Sequence, residues 1–183
     1  DNLGKLGAVA TAFDIVFAER DRLSPQRVAE DNDTLPPEIA EQLKQMPDNE
    51  VVMAEAMKRH RVVLGQTSVR QERDVNHEGA EIQDAGFAAI GPDPKQFIGD
   101  FPDLLQNVED LEAAATGRGV FSIEPDIDAV FRRVPLVVAV RGKIRLALSA
   151  ELLRIATGGE SFAIRSNVGG VEGVVLARKL VNT

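Results

Sequence analysis

The order of apolar and polar positions divides the chain into short strands separated by helices. Residues 8–17 form a nearly continuous apolar run, with Asp14 as its odd member, and predict a strand buried on both faces. Apolar and β-branched residues at 61–68 predict a second strand, and Phe87–Ile90 predicts a third. The polar stretch at 20–34 predicts a long surface loop after the first strand.

Three helices are predicted where good helix formers or helically spaced apolar residues lie between breakers. Residues 38–45 follow a proline pair, and residues 49–60 follow Asp48, whose carboxylate can cap a helix. Asn107 can cap a further helix over residues 108–115.

The second half of the chain adds strands on either side of one helix. Residues 119–123 and 134–140 are apolar on both sides of a turn that contains Pro125, so they predict strand, sharp turn and strand. Leu148 and Ile155 lie on one face of a predicted helix that ends at glycines. The last strand candidates are residues 162–165 and 171–181.

This alternation predicts an α/β fold, with helices packed on the faces of a mixed β-sheet. The 183 residues contain 44% hydrophobic and 27% charged residues, as expected of one globular domain spanning residues 1–183. The pattern leaves the strand order open.

Charge and cysteine content exclude several classes of function. A net charge of −8 would repel a phosphate backbone, so we expect no nucleic-acid partner. The absence of cysteine excludes disulfides, thiol nucleophiles and zinc–thiolate sites, and we expect no cofactor and no metal. No run approaches the roughly 20 apolar residues of a membrane helix.

Candidate site residues concentrate in residues 119–140, here called the signature segment. Asp126, Asp128, Arg132 and Arg133 place two acids and two bases within eight positions of the predicted turn. We predict that Asp128 and Arg132 or Arg133 are tied to each other or to neighbouring backbone and so fix the turn, because an arginine fork binds a carboxylate through two hydrogen bonds. Asp14 is the other candidate, and in a buried strand its carboxylate would have to find a partner or reach the edge of the sheet.

The sequence PDIDAVFRRVPLVV, followed by RLALSAELLRIATG, resembles the signature of CHASE2 domains. The family pattern is an acidic pair, a small residue, an arginine pair and Pro-Leu. It matches at Asp126, Asp128, Arg132, Arg133, Pro135 and Leu136. One departure is Ala129, where the family usually has glycine, so a turn that needs a positive φ would be less comfortable here.

The resemblance implies an extracytoplasmic sensor domain of a bacterial transmembrane receptor. It implies a periplasmic location on an inner-membrane protein, a homodimer, and a small molecule or a protein as stimulus. Both ends would be trimmed relative to the family. The implied output is a cytoplasmic adenylate or guanylate cyclase, with a histidine or serine/threonine kinase as the alternative.

Two further interpretations stay open. Asp126 and Asp128 after an apolar run superficially match the acid pair of haloacid dehalogenase-type phosphatases, which would also require Mg²⁺. Alternatively, the domain is a structural dimerisation module. The sensor interpretation predicts no catalysis by the segment itself.

Overall fold

The computed structural model describes residues 2–69, 86–122, 127–132 and 134–182. Within them the helices are α1 (Asn2–Lys5), α2 (Pro25–Glu30), α3 (Pro37–Lys44), α4 (Asn49–Met57), α5 (Glu109–Ala114) and α6 (Leu148–Ala156). The strands are β1 (Thr11–Phe13), β2 (Val62–Val69), β3 (Phe87–Ile90), β4 (Asp100–Phe101), β5 (Asp103–Leu105), β6 (Gly117–Val120), β7 (Val137–Val140), β8 (Lys143–Leu146), β9 (Phe162–Asn167), β10 (Gly170–Leu176) and β11 (Lys179–Asn182). None of the described helices is long and apolar enough to span a bilayer.

The strands form three sheets, and the α/β class is confirmed. In the first sheet β2 pairs in parallel with β1 and β6 and antiparallel with β5. The second has the order β11-β10-β9-β3, with β3 parallel to β9. The third has the order β4-β7-β8, with β4 parallel and β8 antiparallel to β7. All three sheets therefore mix parallel and antiparallel pairs.

The predicted strand at 8–17 is wrong in its length and its burial. Only Thr11–Phe13 is extended, its three residues are half-buried, and among the described strands it pairs with β2 alone. The rest of the run serves packing instead: Phe13 and Phe17 meet edge to face and cover the core beneath α4 and α5. The loop predicted at 20–34 also needs correction, because it contains α2, with Pro25 in its first turn.

The signature segment does not form one strand–turn–strand unit, because its strands belong to different sheets. β6 lies beside β2, whereas β7 pairs with β8 across a two-residue turn. Arg141 and Gly142 have φ of 51° and 71° in this turn, as two-residue hairpins require. The strand predicted at 171–181 is likewise divided into β10 and β11 by a turn at Ala177 and Arg178.

The first and third sheets meet beside α6. Val120, at the end of β6, forms a parallel bridge with Ala147 just before α6. Gly119 makes the approach possible, because a Cβ there would run into the backbone of Leu148. Toward Gly117 these two segments are no longer bridged, and a cleft opens between β6 and β8.

Candidate functional site

Residues 127–132 of the signature segment form an exposed loop, in which Asp128 and Arg132 make an ion pair. Nη1 and Nη2 of Arg132 donate to Oδ1 and Oδ2 of Asp128 at 2.8 and 2.7 Å. Their side chains are 52% and 49% exposed. Hydrogen bonds from Arg132, and then from the N–H of Val130, lower the pKa of Asp128. The pair therefore orders a turn at the surface rather than a buried corner.

The other candidate residues from the sequence do not join this pair. Asp126 and Arg133 lie outside the described residues. Asp14 directly follows β1 and is exposed, so its carboxylate lies at the surface and not in a buried strand. Ala129 adopts φ of 62°, the left-handed conformation that glycine favours. The loop thus keeps a positive φ without the usual glycine.

A cleft of about 180 Å³ lies where β6, β8, α6 and β9 come together. Five of the residues that line it are charged: Arg118, Arg145, Glu151, Arg154 and Glu160. Three arginines thus line one cleft in a protein whose net charge is −8. We call this feature the arginine cleft.

On one wall of the arginine cleft, Arg154 is fixed to its own helix. Its Nε and Nη2 donate to the two carboxylate oxygens of Glu151 at 2.7 and 2.6 Å. Nη1 donates to the carbonyl of Gly159 at 2.6 Å, where the chain leaves α6. The side chains are only 8% and 5% exposed. Because Gly117 has no side chain, β6 can lie directly against the Glu151 carboxylate.

On the opposite wall, Arg118 is held from behind by Glu112 of α5. Arg118 Nε donates to Glu112 Oε2 at 2.8 Å, and its Nη2 donates to the Glu112 carbonyl oxygen. The other carboxylate oxygen of Glu112 accepts three hydrogen bonds, from the backbone and side chain of Asn107 at 2.9 Å each and from the side chain of Gln66 at 2.8 Å.

Gln66 continues this chain of hydrogen bonds to the third arginine. It is fully buried in β2, and its side-chain oxygen accepts from Arg145 Nη2 at 2.7 Å. Hydrogen bonds that run from Arg145 through Gln66 and Glu112 to Arg118 therefore connect β8, β2, α5 and β6 in one buried network. Asn107 extends it further, because its Oδ1 accepts from the N–H of Phe17 at 2.8 Å.

Sequence reasoning missed every residue of the cleft and this network except Asn107. It interpreted Asn107 as a helix cap, whereas α5 has Val108 at that position and Asn107 bridges three segments. The available signals were Gln66 inside an apolar strand and Glu151 and Arg154 three residues apart on a helix. Both signals are weak, since polar residues of this kind are common on exposed faces.

The cleft contains a buried charge pair, and its lining residues do not form a recognisable catalytic constellation. Among the carboxylates that line it, that of Glu151 is engaged by Arg154. Within residues 2–69, 86–122, 127–132 and 134–182, no group of three or more histidine, aspartate or glutamate side chains could hold a metal ion.

The chain belongs to the CHASE2 domain family, whose model matches residues 1–180. The search of curated proteins and the search of solved structures gave no match. CHASE2 domains are extracytoplasmic sensory domains and not catalysts. The phosphatase interpretation of Asp126 and Asp128 is therefore set aside.

Proposed function

We propose that this chain is the periplasmic sensor of a bacterial inner-membrane receptor, and that it controls a cytoplasmic nucleotide cyclase. The observation that carries the proposal is the family match over residues 1–180. The stimulus, a small molecule or a protein, acts from outside the cytoplasm on this domain, and the response arises in the output module.

The arginine cleft is the best-supported place for a stimulus to act. It is lined by α6 and by one strand from each of the three sheets, β6, β8 and β9. A ligand there therefore touches both sides of the junction between β6 and β8. The Gln66 and Glu112 network lies directly behind it and reaches Phe17 near the first loop. Binding energy that differs between two arrangements of this junction would shift their populations.

The receptor is proposed to work as a homodimer, because class III cyclases and receptor kinases both act between two chains. Closed twofold pairs are the commonest oligomers, and a stable interface buries more than roughly 1,000 Å² in total. Sedimentation of the isolated chain from micromolar to millimolar concentration tests whether this domain contributes to the pairing. A monomer throughout would assign dimerisation to other parts of the receptor.

The decisive experiment uses the membrane protein that carries this chain, reconstituted in vesicles with this domain accessible. Formation of cyclic AMP and cyclic GMP, and autophosphorylation as the kinase alternative, are measured with and without a stimulus. We expect cyclase output to change when Arg118→Met and Glu112→Gln are combined, and to stay unchanged for Arg165→Met, which removes an exposed ion pair on β9. Phosphorylation without cyclic nucleotide would replace the cyclase by a kinase. Unchanged output in both variants would exclude this cleft from signalling.

A further inference from the structure

We propose that the arginine cleft binds a small molecule through an oxyanion group, a carboxylate or a phosphate. This inference rests on the proposed sensor function and names the chemical class of its ligand. The residues lining the cleft include three arginines and two glutamates, so the lining carries one net positive charge in an acidic protein.

The arginines are already oriented before any ligand arrives. Glu151 and the Gly159 carbonyl fix Arg154, and Glu112 fixes Arg118 through its carboxylate and its carbonyl. Each guanidinium group has five N–H donors. On Arg154 these contacts, together with a hydrogen bond to the carbonyl of Glu160, use four of the five. On Arg118 they use two. Rigid donors that remain lose little entropy on binding, and planar guanidinium groups suit carboxylates and phosphates.

Size and solvation limit the ligand further. About 180 Å³ is well below the roughly 300–1,000 Å³ of sites for drug-sized ligands, so the ligand is small. Most of the cleft's lining is polar or charged, with Ile144, Leu146 and Phe162 as its apolar part. A short dicarboxylate or an inorganic phosphate fits this balance better than an apolar molecule does.

Glu160 provides a specific test of this inference. It is exposed at the cleft, and its carbonyl, not its carboxylate, accepts from Arg154. Glu160→Gln therefore removes a negative charge beside the ligand without breaking a buried pair. Glu41→Gln, on the exposed surface of α3, makes the same change in net charge elsewhere and serves as the matched control.

The test is a titration of the ¹⁵N-labelled chain with sodium phosphate or with disodium succinate, at constant ionic strength set by sodium chloride. We expect the side-chain Nε–H resonances of Arg118 and Arg154 to shift saturably, with Kd below about 1 mM for at least one of the two anions. Glu160→Gln should tighten binding by about two- to fivefold, and Glu41→Gln should leave it unchanged. Which anion binds distinguishes a phosphate from a carboxylate ligand.

The loss variant combines Arg118→Met with Glu112→Gln, so that no buried charge is left unpaired, and it should abolish the shifts at Arg154. If this variant does not fold, Glu160→Gln still decides. No saturable shift up to about 20 mM of either anion would overturn the inference, and so would binding that Glu160→Gln weakens or leaves unchanged. Saturable binding without any change in receptor output would instead exclude the arginine cleft from signalling and leave the ligand class intact.

Discussion

The same ionic contact occurs in two regions of this molecule with opposite physical meaning. Asp128 and Arg132 in the signature segment, and Glu151 and Arg154 in α6, each form a carboxylate–guanidinium pair joined by two hydrogen bonds of 2.6–2.8 Å. The first pair is about half exposed, and the second is at most 8% exposed. Geometry alone therefore does not tell which pair matters for stability, because solvent screens the first and desolvation makes the second costly to break.

The largest expected effect comes from breaking the buried pair. Arg154→Met leaves the carboxylate of Glu151 buried without its arginine and should lower the free energy of unfolding by about 3–5 kcal/mol. Urea unfolding measures the change. Arg165→Met, which removes a half-exposed pair with Glu172, is the control and should cost less than about 1 kcal/mol. Equal effects in both variants would remove the contrast between buried and exposed pairs.

A second buried carboxylate extends the comparison to a group that no bidentate arginine holds. Glu50 in α4 accepts from the N–H of Asp21 and from the hydroxyl of Ser24 at 3.2 Å. Burial raises its pKa, but these hydrogen bonds and the positive charge of Arg20 outweigh burial, so its pKa lies below the usual 4.5. The stability that it contributes is therefore present above pH 4.5 and is lost as the pH falls through the lowered value.

Glu50→Gln should accordingly lower the free energy of unfolding by about 1–2 kcal/mol at pH 7 and flatten its decline below pH 4.5. Urea midpoints at a series of pH values for the variant and the original chain check both parts. A parallel acid decline in the two proteins would show that other carboxylates cause it.

The exposed loop offers a change of opposite sign. Ala129 has φ of 62°, which costs a residue with a side chain about 1–2 kcal/mol, whereas glycine adopts it freely. Part of the gain is offset by the greater freedom of glycine in the unfolded chain. We expect Ala129→Gly to raise the free energy of unfolding by about 0.5–1 kcal/mol in the same urea assay. A loss of stability would indicate that the alanine methyl group makes a contact that glycine cannot replace.

Local patterns in the sequence predicted much of this structure, because they depend on neighbours along the chain. The periodicity of residues 49–60 and the β-branched run at 61–68 correspond to α4 and β2 with small errors at their ends. The motif around Asp128 was sufficient to identify the family, because it is a short contiguous stretch of sequence. What these patterns describe is the backbone of single elements.

The arginine cleft was not predictable in this way, because its partners are distant in sequence. Gln66 lies 46 residues from Glu112 and 79 from Arg145, and only the packing of α5 and of the first and third sheets brings them together. The apolar run at 8–17 misled for a related reason. Its phenylalanines are buried by α4 and α5 rather than by neighbouring strands, and composition does not distinguish the two.

The smallest effect on stability is expected from substitution of Asp128. For that reason, any change of receptor output in this variant would report on function and not on unfolding. Its pKa is lowered below the usual 3.8 by Arg132, so any stability from the pair is present above pH 3.8 and is lost in more acidic solution. Because solvent screens the pair, Asp128→Asn should leave the urea midpoint at pH 7 unchanged within error. The exposed side chains of Ile127 and Phe131 flank the pair and offer a surface to a partner. Unchanged stability together with altered output of the intact receptor would assign this loop to a contact outside the chain. Unchanged stability with unchanged output would limit the pair to ordering the turn, and a large loss of stability would contradict the contrast with Glu151 and Arg154.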